Sequence, residues 1–337
     1  MGHDARRLNR NAPCARLCSL LFASSFGSIS ALSIPQHMNQ NPTSPAEIAA
    51  NYIESFRAGQ EFMPPSAGLV VNGAPDSQAL TVLQNALSED TEVVRTQVVD
   101  LLADVGAECA DPDNSGLSAI KDARSIEILF TTALSKPDQA REEAMLKLRS
   151  MCRRSDLEPW SGELARVIEE RPTEDGLLLV AKSKARSAKD AVQKLALSPE
   201  WQEDRALLIA QGALGDTSVI DHFLEELRVA VASADPERFS QAIDALSKIG
   251  EPGTLKAVAE QLRTPLIREV PRVSAKSMRL VVLGGLAYAF PDVLVLYPSN
   301  IIEEEDYIAA ENFCIQQLGA QYSDARPPFM THGAYPR

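Results

Sequence analysis

Apolar residues recur along most of this chain at helical spacing. The clearest stretch is 235–262, which reads DPERFSQAIDALSKIGEPGTLKAVAEQL. Phe239, Ala242, Ile243, Leu246 and Ile249 fall on one face of a 3.6-residue helix. Asp235 followed by Pro236 suits a helix start, and Gly250 suits its end. A second stripe, Leu255, Val258, Ala259 and Leu262, predicts another helix, with Thr254 as its candidate cap. The short break between the two stripes predicts antiparallel neighbours.

The same layout stands 35 residues earlier, in DRALLIAQGALGDTSVIDHFLEEL over 204–227. There Leu207, Leu208 and Leu214 match Ala242, Ile243 and Ile249. Gly215 matches Gly250, and Ile220, Phe223 and Leu227 match Leu255, Val258 and Leu262. Gln211 stands where Leu246 does, which predicts looser packing at that seam. Weaker copies of a first helix occur at 92–106, ending in Val105-Gly106, and at 139–152. The segments 161–170, 175–185 and 188–197 fill the interval. Ser135-Lys136-Pro137-Asp138 and Ser198-Pro199-Glu200 read as further helix starts. No apolar run of period two and strand length stands out between 46 and 285, so almost no strand is expected there.

One helix pair does not bury its apolar face alone, so repeated pairs are expected to stack and share a core. QAIDALSKIGE, and in part LIAQGALGD, resembles the first helix of the bacterial HEAT-like repeats, A-x-x-A-L-x-x-[IL]-G-[DE]. The clear resemblance covers 204–262, and a degenerate version covers 76–320. It implies an all-α fold, an α-solenoid of about six to seven stacked antiparallel helix pairs. A compact all-α bundle is the alternative. A tetratricopeptide array lacks its Trp, Tyr and Pro landmarks here.

Around this array the chain divides further. Residues 1–33 hold Arg6, Arg7, Arg10 and Arg16 before an apolar stretch that ends at Ala31-Leu32-Ser33. This reads as a signal or targeting segment, too short and serine-rich to span a membrane. An organellar transit peptide and a cytoplasmic protein with an upstream start codon are the alternatives. Intact mass of natively expressed protein decides whether the segment is cleaved. Residues 34–45 read as a linker, 46–320 as the repeat domain and 321–337 as an irregular, Pro-rich tail packed over the last repeat. Within the domain, 107–121 reads as a polar loop. Its Asp111, Asp113 and Asn114 lack the glutamate that a calcium loop requires. Helical rhythm stops after Pro291, where a short extended segment could form, and a last helix is expected from about Glu303 to Leu318.

The formal charge is −13 over 337 residues. Four arginines against Asp4 give the first 33 residues a charge of +3, which leaves −16 on the rest. A body so acidic disfavours nucleic acid, as does the absence of a basic, aromatic-lined groove from the pattern. Trp160 and Trp201 stand near helix starts as hydrophobic staples. Cys109, Cys152 and Cys314 read as buried thiols, with a Cys109–Cys152 bridge open if the protein is exported. No His or Cys pair has metal-ligand spacing, and no catalytic constellation or phosphate loop appears. His222 reads as a surface histidine, and Gly284-Gly285 as a site of close helix packing. The acidic run Glu303–Asp306 reads as a solvated helix N-terminus.

The function expected is a non-enzymatic protein-binding scaffold, without cofactor or metal. Its partner would be another protein, with no nucleic acid and no stable membrane span. Asp221, Glu225, Lys256 and Glu260, on the second helices of two pairs, are the candidate contact residues. An enzyme or accessory of the HEAT-like bilin-lyase type and a structural envelope protein are the alternatives.

Overall fold

A computed structural model describes residues 44–60, 66–108, 120–135, 137–270, 273–290, 303–323 and 325–327. The chain is mostly helical and of the all-α class. Its helices are α1 (Pro45–Arg57), α2 (Ser77–Glu89), α3 (Glu92–Glu108), α4 (Ala123–Ala133), α5 (Gln139–Met151), α6 (Arg154–Leu157), α7 (Ser161–Glu170) and α8 (Glu174–Ser183). They continue with α9 (Lys189–Leu195), α10 (Arg205–Ala213), α11 (Thr217–Ala232), α12 (Pro236–Ile249), α13 (Pro252–Ala259), α14 (Arg279–Ala289) and α15 (Glu304–Leu318). Among the described residues, two antiparallel hairpins interrupt them. One is β1 (Val70–Val71) with β2 (Ala74–Pro75), and the other is β3 (Ile267–Val270) with β4 (Val273–Ser277). The second hairpin pairs Ile267 with Ser277 and has an irregularity between Arg268 and Val270.

Local chemistry sets most helix starts. Asp76, Asp122, Asp138, Asp204, Asp216 and Asp235 each accept a backbone N–H of the first turn. A share of the acidic charge is therefore spent on caps, where the helix dipole favours it. At the other end of α12, Gly250 takes a left-handed conformation (φ 63°) that closes the helix.

Four starts or stops differ from expectation. The helix after Gly250 begins at Pro252, with Glu251 as its N-cap. Thr254 sits in the first turn, and its Oγ1 accepts from the Glu251 N–H. Asp138, not Ser135, caps α5. No helix starts at Ser198-Pro199-Glu200; those residues turn toward α10, capped by Asp204. Gly106 does not end α3, which continues to Glu108. A Cβ on Gly106 would lie 2.8 Å from Ile120 and 2.9 Å from Ser125, so this glycine serves packing rather than termination. The β3–β4 hairpin is the main strand that the pattern did not foretell. The expected extended stretch within 291–302 lies outside the described residues, as do Cys109 and the Asp111–Asn114 run.

Helices α3, α5, α8, α10, α12 and α14 each pack on the next. The helices between them lie against this succession: α4 on α3 and α5, α7 on α8, α11 on α10 and α12, and α13 on α12, α14 and α15. One cluster of buried apolar residues runs from Ala49 to Ala320. Leu246 and Ile249 are fully buried in it, as the stripe required. Trp160 joins it by stacking on Phe130, at 4.9 Å between ring centroids. Residues past α15 fold back, where the Tyr322 hydroxyl donates to the Ala259 carbonyl and Arg326 reaches Glu311.

Three buried arginines tie successive elements together. Nε of Arg95, Arg141 and Arg279 donates to the carbonyls of Leu87, Ala133 and Leu262, at 2.6, 3.0 and 2.7 Å. Each carbonyl lies at or near the end of the preceding helix or turn, where backbone acceptors lack helical partners. Arg95 also pairs with Asp138, the cap of α5.

Candidate functional site

A recess of about 630 Å³ opens between α12 and α14. Both walls follow helical spacing. Ser240, Asp244, Ser247 and Lys248 lie on the flank of α12 beside its buried stripe. Val281, Gly284, Gly285 and Tyr288 lie on one face of α14. Arg205, at the start of α10, closes one side.

The helices meet closely because Gly285 has no side chain. A Cβ there would lie 2.3 Å from Ser247 Oγ and 3.2 Å from Ile243 Cγ2. Gly285 thus permits close packing, as its place in an apolar helix implied.

The charged groups of the recess are paired. Lys248 Nζ lies 2.7 Å from Asp244 Oδ2. Arg205 Nη2 lies 3.1 Å from Glu226 and donates to the Gln241 carbonyl at 2.7 Å. The Lys248 side chain is only 19% exposed, although it lies off the apolar stripe, because α14 packs on that flank.

Two hydroxyls are the exception. Ser247 is 3% exposed, and among the described residues neither its Oγ nor the buried Tyr288 hydroxyl has a hydrogen-bond partner. Burial raises the Tyr288 pKa, so the phenol stays neutral and able to donate. Lys182 Nζ stands 5.0 Å from the centre of the Tyr288 ring and donates to the Arg149 carbonyl at 2.5 Å. Burial, with a smaller contribution from Arg149, lowers the Lys182 pKa to about 8. The neighbouring Cys152 is a free, buried thiol that burial pushes up to about 12. It is protonated at neutral pH, which removes it as a nucleophile. Cys314 is likewise free and buried.

A smaller cavity, of about 250 Å³, lies between α9 and the α10–α11 turn and is lined in part by Gln211 and Asp216. The seam that carries Gln211 in place of leucine is thus open, as expected.

The residues singled out by sequence lie elsewhere. Asp221 and Glu225 are exposed on α11, and Glu225 pairs with Arg228 at 2.5 Å. Lys256 and Glu260 come within 3.9 Å of each other at the end of α13. None of the four lines either cavity. Ser247 and Tyr288 drew no notice in the sequence, where Gly284-Gly285 was the one signal of this place. His222 is a surface residue near Glu226. Among the described residues no group of His, Cys, Asp and Glu is placed to hold a metal ion. Nor is any helix there long and apolar enough to cross a membrane. Comparison with protein-family models, curated proteins and solved structures finds no match for the chain.

Proposed function

We propose that this chain is a non-enzymatic scaffold that binds another protein, built as a HEAT-like α-solenoid. In this reading α1–α2, α3–α4, α10–α11 and α12–α13 are pairs whose members pack on each other, and α5, α8 and α14 open the remaining pairs. Their first helices are the ones that pack in succession, which is how stacked pairs share a core. The observation that carries the binding role is the recess between α12 and α14. A recess of about 630 Å³ falls within the range of about 300–1,000 Å³ usual for binding sites. The recess lies on first helices, so it draws the contact surface toward α12 and α14, while Asp221, Glu225, Lys256 and Glu260 remain a second candidate patch on the other helices. Neither the lyase nor the envelope alternative draws on a particular residue. Export of the chain, with loss of residues 1–33, belongs to the same proposal.

The test is photocrosslinking in cells with p-benzoylphenylalanine at Gln241, on the recess rim, and at Leu197, which is 78% exposed and does not line it. The expected result is a discrete adduct from position 241 and none from 197. Equal labelling at both positions, or none at 241, would overturn the reading.

A further inference from the structure

We infer that the cavity between α9 and the α10–α11 turn is a binding site for a free α-amino acid with a small uncharged side chain. The site is separate from the α12–α14 recess and goes beyond the scaffold reading.

The cavity exists where the repeat departs from its own pattern. Gln211 stands on α10 at the position that Leu246 fills on α12, and Leu246 is fully buried while Gln211 is only partly so. Gln193, one turn from Lys189 on α9, lines the same space. Among the described residues neither glutamine side chain bonds another protein group. Each amide can both donate and accept. The wall is open to what enters, since Lys189 and Gln193 are exposed and Gln211, Leu214 and Asp216 are partly exposed.

The charges decide the ligand. Lys189 and Asp216 bring opposite signs to the walls, yet no ion pair joins them. Asp216 Oδ1 accepts from the Ser218 hydroxyl at 2.6 Å and the Ser218 N–H at 3.0 Å, and Oδ2 takes no bond within the protein. The Ser218 hydroxyl chiefly holds this carboxyl below the usual range, so it stays ionised. A simple anion would meet Asp216, and a simple cation would meet Lys189. An apolar molecule would strip water from both charges and both amides without replacing it. A zwitterion answers every group. Its carboxylate pairs with Lys189 and accepts from Gln193, while its ammonium donates to Asp216 Oδ2 and to the Gln211 carbonyl oxygen. A small side chain then rests on Leu214. A charged side chain would find both wall charges already engaged. The volume of about 250 Å³ falls below the range of about 300–1,000 Å³ usual for drug-sized ligands, which suits one amino acid rather than a peptide.

The test uses full-length protein labelled with ¹⁵N-glycine. Gly215 lines the cavity and serves as the reporter, and Gly285, in the other recess, is the control. Alanine is titrated, and separately ethylamine, propionate and glutamate. Alanine is expected to shift the Gly215 signal in a saturable way and to leave Gly285 in place, while the other three give no comparable shift. In Lys189→Met and in Asp216→Asn the dissociation constant should rise at least about tenfold, because each removes one partner of a charge pair. Asparagine caps a helix as well as aspartate does, so α11 keeps its start. Lys189 is exposed, so its variant tests the site even if the other misfolds. No saturable shift at Gly215, or an equal shift at Gly285, would overturn the proposal. So would a response to ethylamine, propionate or glutamate as strong as that to alanine, or unchanged binding in a folded charge variant. Missing adducts at Gln241 would instead count against the scaffold reading.

Discussion

Leu246 and Lys248 stand two residues apart on α12 and show how one turn of helix divides its side chains. Leu246 is fully buried, and its replacement by alanine should cost about 2–5 kcal/mol in denaturant unfolding. Lys248 pairs with Asp244, which is half exposed, so Lys248→Ala should cost no more than about 1 kcal/mol. If the two variants unfold alike, α12 is turned the wrong way. Gly285 gives the complementary case. An added methyl would meet Ser247 Oγ at 2.3 Å, so Gly285→Ala should cost about 1–3 kcal/mol through overpacking. Adding Ser247→Ala should restore part of that loss, since the nearest clashing atom is then gone. An additive double variant would show that the two side chains do not meet.

Between elements, the buried arginines matter more than any surface pair. Arg95 is 2% exposed and binds both the Leu87 carbonyl near the end of α2 and the Asp138 carboxylate that caps α5. Removing it leaves a buried carboxylate without its cation and a helix end without its donor. Arg95→Ala should therefore cost about 3–5 kcal/mol. Amide exchange should quicken in the first turn of α5 as well as at the end of α2. Loss of protection confined to α2 would show that the Asp138 link carries no stability. Arg141 and Arg279 repeat the reach to a preceding carbonyl, but Arg141 bonds onward to the Arg171 carbonyl and Arg279 stacks on Tyr307. The device is shared while its second partner varies with the neighbouring element.

At the scale of the whole molecule, charge placement sets how stability follows pH. Glu311 is buried on α15, and burial alone would raise its pKa. Bonds from Arg326 at 2.7 Å and Arg263 at 3.0 Å outweigh this and hold it below the usual carboxylate range. The unfolded chain therefore binds a proton there before the folded one does. This contribution is fully present above the ordinary glutamate value of 4.5 and is lost as pH falls through the folded value. Glu311→Gln should flatten the acid limb of a stability–pH curve, and an unchanged limb would show that the cluster is not linked to folding. Lys182 acts at the other end of the scale. Its folded value of about 8 lies below the ordinary 10.5, so the unfolded chain holds the extra proton between the two. Stability should rise with pH across that window, and Lys182→Met should lessen the rise.

Periodicity and capping made the helices legible from sequence, because both act within about one turn. Asp235, Pro236 and Gly250 bracketed α12 correctly, and the stripe of Phe239 to Ile249 named its buried face. The expected last helix, Glu303 to Leu318, is α15 to within one residue. What the sequence left open are pairings between residues far apart in the chain. The β3–β4 hairpin escaped notice because each strand is short and its polar residues make sense only beside the partner strand. Arg95, Arg141 and Arg279 gave no sign of their burial, which depends on carbonyls that another helix or turn brings. The recess was hidden for the same reason. Gly284-Gly285 announced a close approach, but that the approaching residue is Ser247, with Lys182 beside Tyr288, follows from how α8, α12 and α14 converge. Local spacing records which side of a helix faces inward, whereas the partner on that side is chosen by packing across the whole core.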